Sequence, residues 1–155
     1  MASTAALRVL RAAKVPFEEH RYRYEKKGGT AASAAAFDVD EHIVIKTLVF
    51  ETETKAPFIV LMHGDQSVST KQLARALSIK STRPCAPEIA EKHTGYRIGG
   101  TSPFGLRKPL SVYAESTIFD LDRIFINGGQ RGLLVSLSPV VVDELLAPER
   151  VNVAT

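Results

Sequence analysis

The sequence predicts an α+β fold over residues 1–155, a single domain whose mixed, curved sheet is flanked by helices. Three observations lead there. Hydrophobic residues make up 45% of the 155 positions, enough for one full core. No Pro/Ser-rich linker divides the chain. Strand-like apolar runs and stretches of helical period follow one another irregularly rather than in strict βαβ alternation.

The elements are read in chain order. Ser3 or Thr4 can cap a first helix in which Ala6, Leu7, Leu10 and Ala13 recur at helical spacing, and Val15-Pro16 ends it. From Glu18 to Tyr24 the pattern becomes alternation, with His20, Tyr22 and Tyr24 on one face of a strand. Lys26 to Gly29 reads as a loop, and Thr30 as the cap of an alanine-rich helix from Ala31 to Phe37. Ile43 to Phe50 is apolar on both faces, as in a strand covered on both sides. Phe58 to Met62 is the next strand, and His63-Gly64-Asp65 turns out of it. Ser69 with Gln72 opens a helix through Leu73, Ala76 and Leu77, and Pro87 suits the first turn of a helix running to His93. Strands then follow at Leu110 to Ala114, Arg123 to Asn127 and Leu133 to Leu137, before Ser138-Pro139 starts a last helix through Val142, Leu145 and Leu146.

Composition narrows the function. The 20 basic and 17 acidic residues leave a net charge of +3, which tolerates a polyanion without requiring one. Basic residues cluster at Arg21, Arg23, Lys26 and Lys27, at Lys80 and Arg83, and at Arg97, Arg107 and Lys108. The only cysteine, Cys85, excludes a disulfide within the chain and fits a reducing compartment. No apolar run reaches membrane-spanning length, and Met1 to Ala13 lacks the apolar region of a signal peptide, so a soluble, cytoplasmic protein is expected. His20, His42, His63 and His93 match no zinc spacing, and no metal or cofactor is expected. GGTSPFG lacks the Gly-Lys-Ser/Thr ending of a phosphate-binding loop, and no GxSxG elbow is present.

Two features remain. Thr94 to Lys108, TGYRIGGTSPFGLRK, packs glycines, hydroxyls and positive charge into fifteen positions, and a second glycine stretch runs from Asn127 to Gly132. Both allow a ligand to approach bare backbone, and both also suit ordinary turns. Lys46 interrupts the apolar strand. It either snorkels to an edge or holds its ammonium where a partner offsets the desolvation. Such a site polarises and positions; it offers no evident nucleophile.

TGYxxGGxSPFG at Thr94 to Gly105, Lys-Thr-Leu at Lys46 to Leu48 and NGGxRG at Asn127 to Gly132 resemble the YbaK/ProX aminoacyl-tRNA editing family, from the first helix to the last. The resemblance implies a partly barrel-like mixed sheet and removal of a wrong amino acid from tRNA charged for proline. It places catalytic roles on Lys46, Gly99 and Gly100. It implies substrate binding by His20 and Tyr22, which match a His-x-Tyr strand, and by Thr47, Thr94, Tyr96, Thr101, Ser102, Asn127, Gly128, Gly129 and Arg131. The implied partners are the acceptor end of an aminoacyl-tRNA and a prolyl-tRNA synthetase. In the branch that removes cysteine, the resemblance implies that the substrate's thiol attacks its own ester and leaves as a thiolactone. That branch commonly has an acid after Arg-Gly-Leu and a serine before the glycine pair; here Leu134 and Asn127 stand there. The Gly-x-x-x-His-Pro of the alanine-removing branch is absent from RGLLVSLSP.

Overall fold

The computed structural model describes residues 3–155; Met1 and Ala2, the first positions of the expected domain, lie outside the described residues. Five helices, α1 (Ala5–Ala12), α2 (Gly29–Phe37), α3 (Thr70–Leu77), α4 (Pro87–Thr94) and α5 (Pro139–Leu146), pack on a sheet of eight strands. The strands are β1 (Glu18–Arg21), β2 (Val44–Thr52), β3 (Pro57–His63), β4 (Thr82–Pro84), β5 (Val112–Glu115), β6 (Ile124–Gln130), β7 (Leu133–Leu137) and β8 (Glu149–Val151). They follow the open path β1-β7-β6-β2-β3-β5-β8, with β4 paired to β2 off that path. The pairs β2–β6, β3–β5 and β5–β8 are parallel and the others antiparallel, so the sheet is mixed as expected.

Strand alternation explains why β2 is apolar on both faces. Ile45 and Val49 point into the main core with Ile59, Leu61, Ile126 and Val135, where α1 contributes Leu7 and Leu10 and α5 contributes Val142. The opposite face carries two separate clusters. Phe50, Phe58, Val60 and Met62 pack on Leu73 of α3, while Val44, Phe125 and Leu134 pack on Ala34 and Phe37 of α2. Each fully buried side chain of this size contributes roughly 1.5–3 kcal/mol. Lys46 shares the face of Val44 and Leu48 and so emerges between the two clusters.

Hydroxyl caps fix three helix starts at about 1 kcal/mol each. Thr4 accepts from Leu7 N, Ser69 from Gln72 N and Ser138 from Val140 N. Thr30 does not cap α2, which begins earlier at Gly29 without a side-chain cap. Its Oγ1 lies instead 2.7 Å from Glu41 Oε2 and 3.2 Å from the Gly64 carbonyl, a tertiary tie that the local pattern does not reveal. The first strand stops at Arg21 rather than Tyr24, because beyond Arg21 only Tyr22 N still reaches across, to the Gly132 carbonyl at 2.9 Å.

Candidate functional site

Lys46 is half-buried on β2, and its Nζ donates to the main-chain carbonyl of Gln66. Burial pulls its pKa below the ordinary lysine value, opposed by the nearby carboxylates of Glu41 and Asp65. The Gln66 carbonyl is presented by the tight turn that leaves β3. Gly64 N donates to the Val44 carbonyl at 2.7 Å and Gln66 N to the His63 carbonyl at 3.1 Å. A Cβ on Gly64 would meet Thr30 Oγ1 and the Val44 carbonyl at 2.7 Å, so glycine is required there.

His63 anchors this turn. It is fully buried, with Nδ1 2.7 Å from the His42 carbonyl and Nε2 2.7 Å from Thr117 Oγ1. A carbonyl only accepts, so Nδ1 carries the proton and Nε2 accepts from the threonine hydroxyl. Burial depresses the His63 pKa and holds the ring neutral. The His42 ring stacks on it at 3.8 Å, and His42 Nδ1 lies 3.0 Å from Asp65 Oδ1.

The two glycine stretches meet. Gly95 closes α4 with φ +81°, and Gly100 N donates to the Arg97 carbonyl at 2.8 Å. Asn127 donates its side-chain amide to the Gly99 carbonyl at 3.1 Å, and its Oδ1 accepts from Gly129 N and Gln130 N. Arg131 Nε donates to the Ile98 carbonyl at 2.8 Å while its guanidinium lies over the Tyr24 ring. The sequence-predicted residues thus fall into distinct places. Lys46 and Asn127 belong to the sheet face that carries His20, Tyr22 and Leu134. His20 Nε2 is 2.8 Å from Ser136 Oγ, and its ring packs against Phe37 and Phe125; burial and then Arg123 lower its pKa. Tyr22 meets the Phe37 edge at 5.5 Å, and burial raises its pKa.

The hydroxyls of the glycine-rich loop serve the loop itself. Thr94 Oγ1 donates to the Ala90 carbonyl and accepts from Tyr96 N. Tyr96 is buried and donates to the Phe104 carbonyl. Ser102 is buried and accepts from Phe104 N, and Thr101 Oγ1 lies 3.5 Å from the Arg97 carbonyl. Gly128 takes the Thr4 hydroxyl on its carbonyl, and a Cβ on Gly129 would reach the Tyr96 ring at 2.9 Å. Thr47 points its side chain to the face opposite Lys46, where Oγ1 is buried without a partner. The sequence reading missed Gln66, Phe37, Ser136 and Arg123. Gln66 acts through a main-chain carbonyl, which leaves no side-chain signal.

A cleft of about 580 Å³ lies elsewhere, beside β4 and α4, and none of these residues lines it. There Cys85 donates to Glu51 Oε1 at 3.6 Å, and burial pushes its thiol up to about 11, so it is unreactive as a nucleophile. Among the described residues no group of three His, Cys, Asp or Glu side chains could hold a metal ion, and no helix is long and apolar enough to cross a membrane.

Comparison with known proteins bears on this geometry. The chain is 27% identical to EbsC of Enterococcus faecalis, provisionally named a Cys-tRNA(Pro)/Cys-tRNA(Cys) deacylase, over 98% of this chain and 93% of that one. It is 26% identical over 61% of its length to a proline–tRNA ligase of Brachyspira hyodysenteriae, of which the match spans 16%. Two crystal structures share the fold. That of the hypothetical protein APE2540 superposes with a TM-score of 0.88 at 18% identity, covering 97% of this chain and 99% of that one. One described provisionally as a trans-editing enzyme for prolyl tRNA synthetase has a TM-score of 0.84 at 21% identity, covering 100% and 99%. Residues 25–145 match the family described as the aminoacyl-tRNA editing domain, which spans Lys46 and both glycine stretches, and the chain belongs to that family.

Proposed function

We propose that this chain acts in trans as an aminoacyl-tRNA deacylase that clears a mischarged small amino acid, cysteine first, from tRNA(Pro). The observation that carries this reading is the half-buried Lys46 ammonium, held by a single carbonyl on the sheet face that also carries Asn127, whose amide joins the two glycine stretches. It is a partly desolvated positive charge with no activated nucleophile alongside among the described residues. Catalysis then rests on positioning and electrostatics. With cysteine, the substrate's thiol attacks its own ester carbon. A thiolactone forms, the bond to the ribose oxygen breaks, and that oxygen ends with the thiol's proton.

In this reading Lys46, Gly99 and Gly100 contact the aminoacyl ester, and His20, Tyr22 and Arg131 flank the terminal nucleotide. Thr94, Tyr96, Thr101, Ser102, Asn127, Gly128 and Gly129 hold the two loops in register. Similarity to EbsC over nearly the whole chain supports the cysteine assignment, and the match to a proline–tRNA ligase supports a prolyl-tRNA synthetase as partner. One observation favours a second substrate. Leu134, where the cysteine branch carries an acid, is buried among Tyr22, Phe37, Val44 and Phe125, an apolar wall that suits alanine.

The test is deacylation of cysteinyl-, alanyl- and seryl-tRNA(Pro) by the wild type and Lys46→Ala. Loss of one ester, with thiolactone as product for cysteine and abolished by the substitution, is the expected result. Binding of every ester without turnover overturns the enzyme reading and leaves a binding protein on the same fold.

A further inference from the structure

We infer that the main chain of Thr47 is the docking edge for the aminoacyl group itself, its N–H aimed at the ester carbonyl oxygen and its C=O at the α-ammonium. The inference rests on the deacylase reading above and adds to it a recognition element made of backbone.

The register of β2 leads to it. Along an extended strand, the N–H and C=O of one residue point to the same side, and successive residues alternate. Gly64 N donates to the Val44 carbonyl and Thr52 N to the Ala56 carbonyl, so the even-numbered residues of β2 face β3. Cys85 N donates to the Val49 carbonyl from the other side, so the odd-numbered residues face away from β3. On that far side two strands meet β2 end to end. The parallel strand β6 pairs at Val44 and Ile45 only, and β4 pairs from Phe50 to Thr52. Between Ile45 and Val49, one residue turns its main-chain groups outward, and it is Thr47. Neither its N–H nor its C=O has a partner among the described residues.

Proteins rarely leave such groups unpaired in a central strand. The opening has a structural cause. β6 stops pairing with β2 after Ile126, its register against β7 shifts between Asn127 and Gln130, and Asn127 turns its amide to the Gly99 carbonyl. The opening is therefore bordered by Lys46 on the adjacent β2 position and by Asn127, which follows the last β2–β6 pair and whose amide reaches the Gly99 carbonyl. Its length, four residues from Ile45 to Val49, is roughly 13 Å. A peptide strand adding to a sheet edge would need several outward residues. One N–H and one C=O on a single residue match one amino acid: an acceptor at the ester carbonyl and a donor at the ammonium. When the ester carbon is attacked, the carbonyl π pair moves onto oxygen, and the Thr47 N–H is placed to hold that negative charge until the ribose oxygen departs.

The test separates backbone from side chain. Thr47 is replaced by its α-hydroxy acid analogue, which removes the N–H and also weakens the preceding Lys46 carbonyl within the β2–β3 pairing, and separately by valine, T47V, which keeps the main chain and removes the hydroxyl. The probe is an adenosine carrying cysteine on a 3′-amide, which cannot be cleaved; titration into the wild type should shift the Thr47 amide proton signal. Cysteinyl-tRNA(Pro) cleavage should slow roughly 10²–10³-fold in the α-hydroxy variant, with only a small drop in unfolding temperature from the weakened Lys46 carbonyl, while T47V, which keeps the N–H, should retain the shift of the residue-47 amide with the probe. Cleavage by the α-hydroxy variant within threefold of the wild type overturns the inference and leaves the deacylase reading intact. A Thr47 amide that does not respond to the probe also overturns it. A Thr47 shift with the probe but no turnover of any ester overturns the deacylase reading and sustains the docking edge.

Discussion

The Asn127 side-chain amide donates to the Gly99 carbonyl at 3.1 Å while its Oδ1 accepts from Gly129 N at 2.7 Å and Gln130 N at 3.1 Å. One side chain therefore bolts the loop after α4 to the bulge at the end of β6. Its polar atoms are directed at backbone, which makes Asn127 a support for the site.

Asn127→Asp keeps the acceptor for Gly129 and Gln130 but sets a carboxylate against the Gly99 carbonyl. The expected outcome is a raised KM with an unfolding temperature close to wild type. Asn127→Ala removes all three bonds and should cost about 1–3 kcal/mol of stability as well. Denaturant unfolding run beside steady-state deacylation distinguishes the two; equal stability loss in both variants would contradict the division of roles.

Lys46→Met retains the stem of the side chain and removes the charge. Deacylation should fall about 10²–10³-fold, as for loss of one preorganised charge donor, while stability changes by no more than about 1 kcal/mol, since a partly buried ammonium offers little net stabilisation. Lys46→Arg should not rescue, because a planar fork cannot occupy the single position facing the Gln66 carbonyl. Burial lowers the Lys46 pKa, so the alkaline loss of activity should set in below 10.5. A pH–rate profile of the wild type reads this directly.

His63 links the site to acid. Its folded pKa lies below the unfolded value of about 6.5, so below that pH the unfolded chain binds more protons than the folded one. Its contribution is therefore fully present above pH 6.5 and is lost as pH falls through the folded pKa. Protonation would put a proton on Nε2, which accepts from Thr117, and would set a cation against the stacked His42 ring. The hydrogen bond to the His42 carbonyl, and after it Asp65 and Glu115, oppose the shift. His63→Gln should flatten the acid side of a stability–pH curve measured by denaturant unfolding, and an unchanged slope would remove His63 from the account.

Much of this architecture was legible in the residues. The caps at Thr4, Ser69 and Ser138 and the two-sided apolar pattern of Ile43 to Phe50 found their elements because each is a local signal of period or hydroxyl placement. The short strands β4 and β8 were not found, since three residues such as Thr82–Pro84 carry too few alternations to stand out, and Pro84 argues against a strand. In the site, Lys46 stood out as a charge in an apolar run. Thr47 entered only through the Lys-Thr-Leu motif of the family resemblance, and its open main chain depends on where β6 leaves β2, which no side-chain pattern encodes. The roles of Thr94 and Ser102 as loop braces were equally hidden, because a hydroxyl that serves backbone looks in sequence like one that serves a ligand.

Gly99 and Gly100 should fail differently when given a side chain. Gly99 has φ +88°, and a Cβ there would lie 2.5 Å from Tyr24 Oη and 2.9 Å from its ring, so the obstacle is partly a side chain. In Gly99→Ala the left-handed backbone costs roughly 1–2 kcal/mol, to which the clash with the ring adds. Tyr24→Ala removes the ring, at the expense of the Arg131 stacking at 5.0 Å. The double variant should therefore be more stable than the sum of the singles, with a coupling of about 1 kcal/mol in a double-mutant cycle. At Gly100 a Cβ would lie 2.8 Å from Arg131 N and 2.9 Å from the Gln130 carbonyl carbon, both main chain, so Gly100→Ala has to displace the turn between β6 and β7. The same Tyr24→Ala change should give Gly100→Ala no relief. Equal rescue of both glycine variants would mean that loop and turn shift together, and the distinction between a side-chain and a main-chain obstacle would fall.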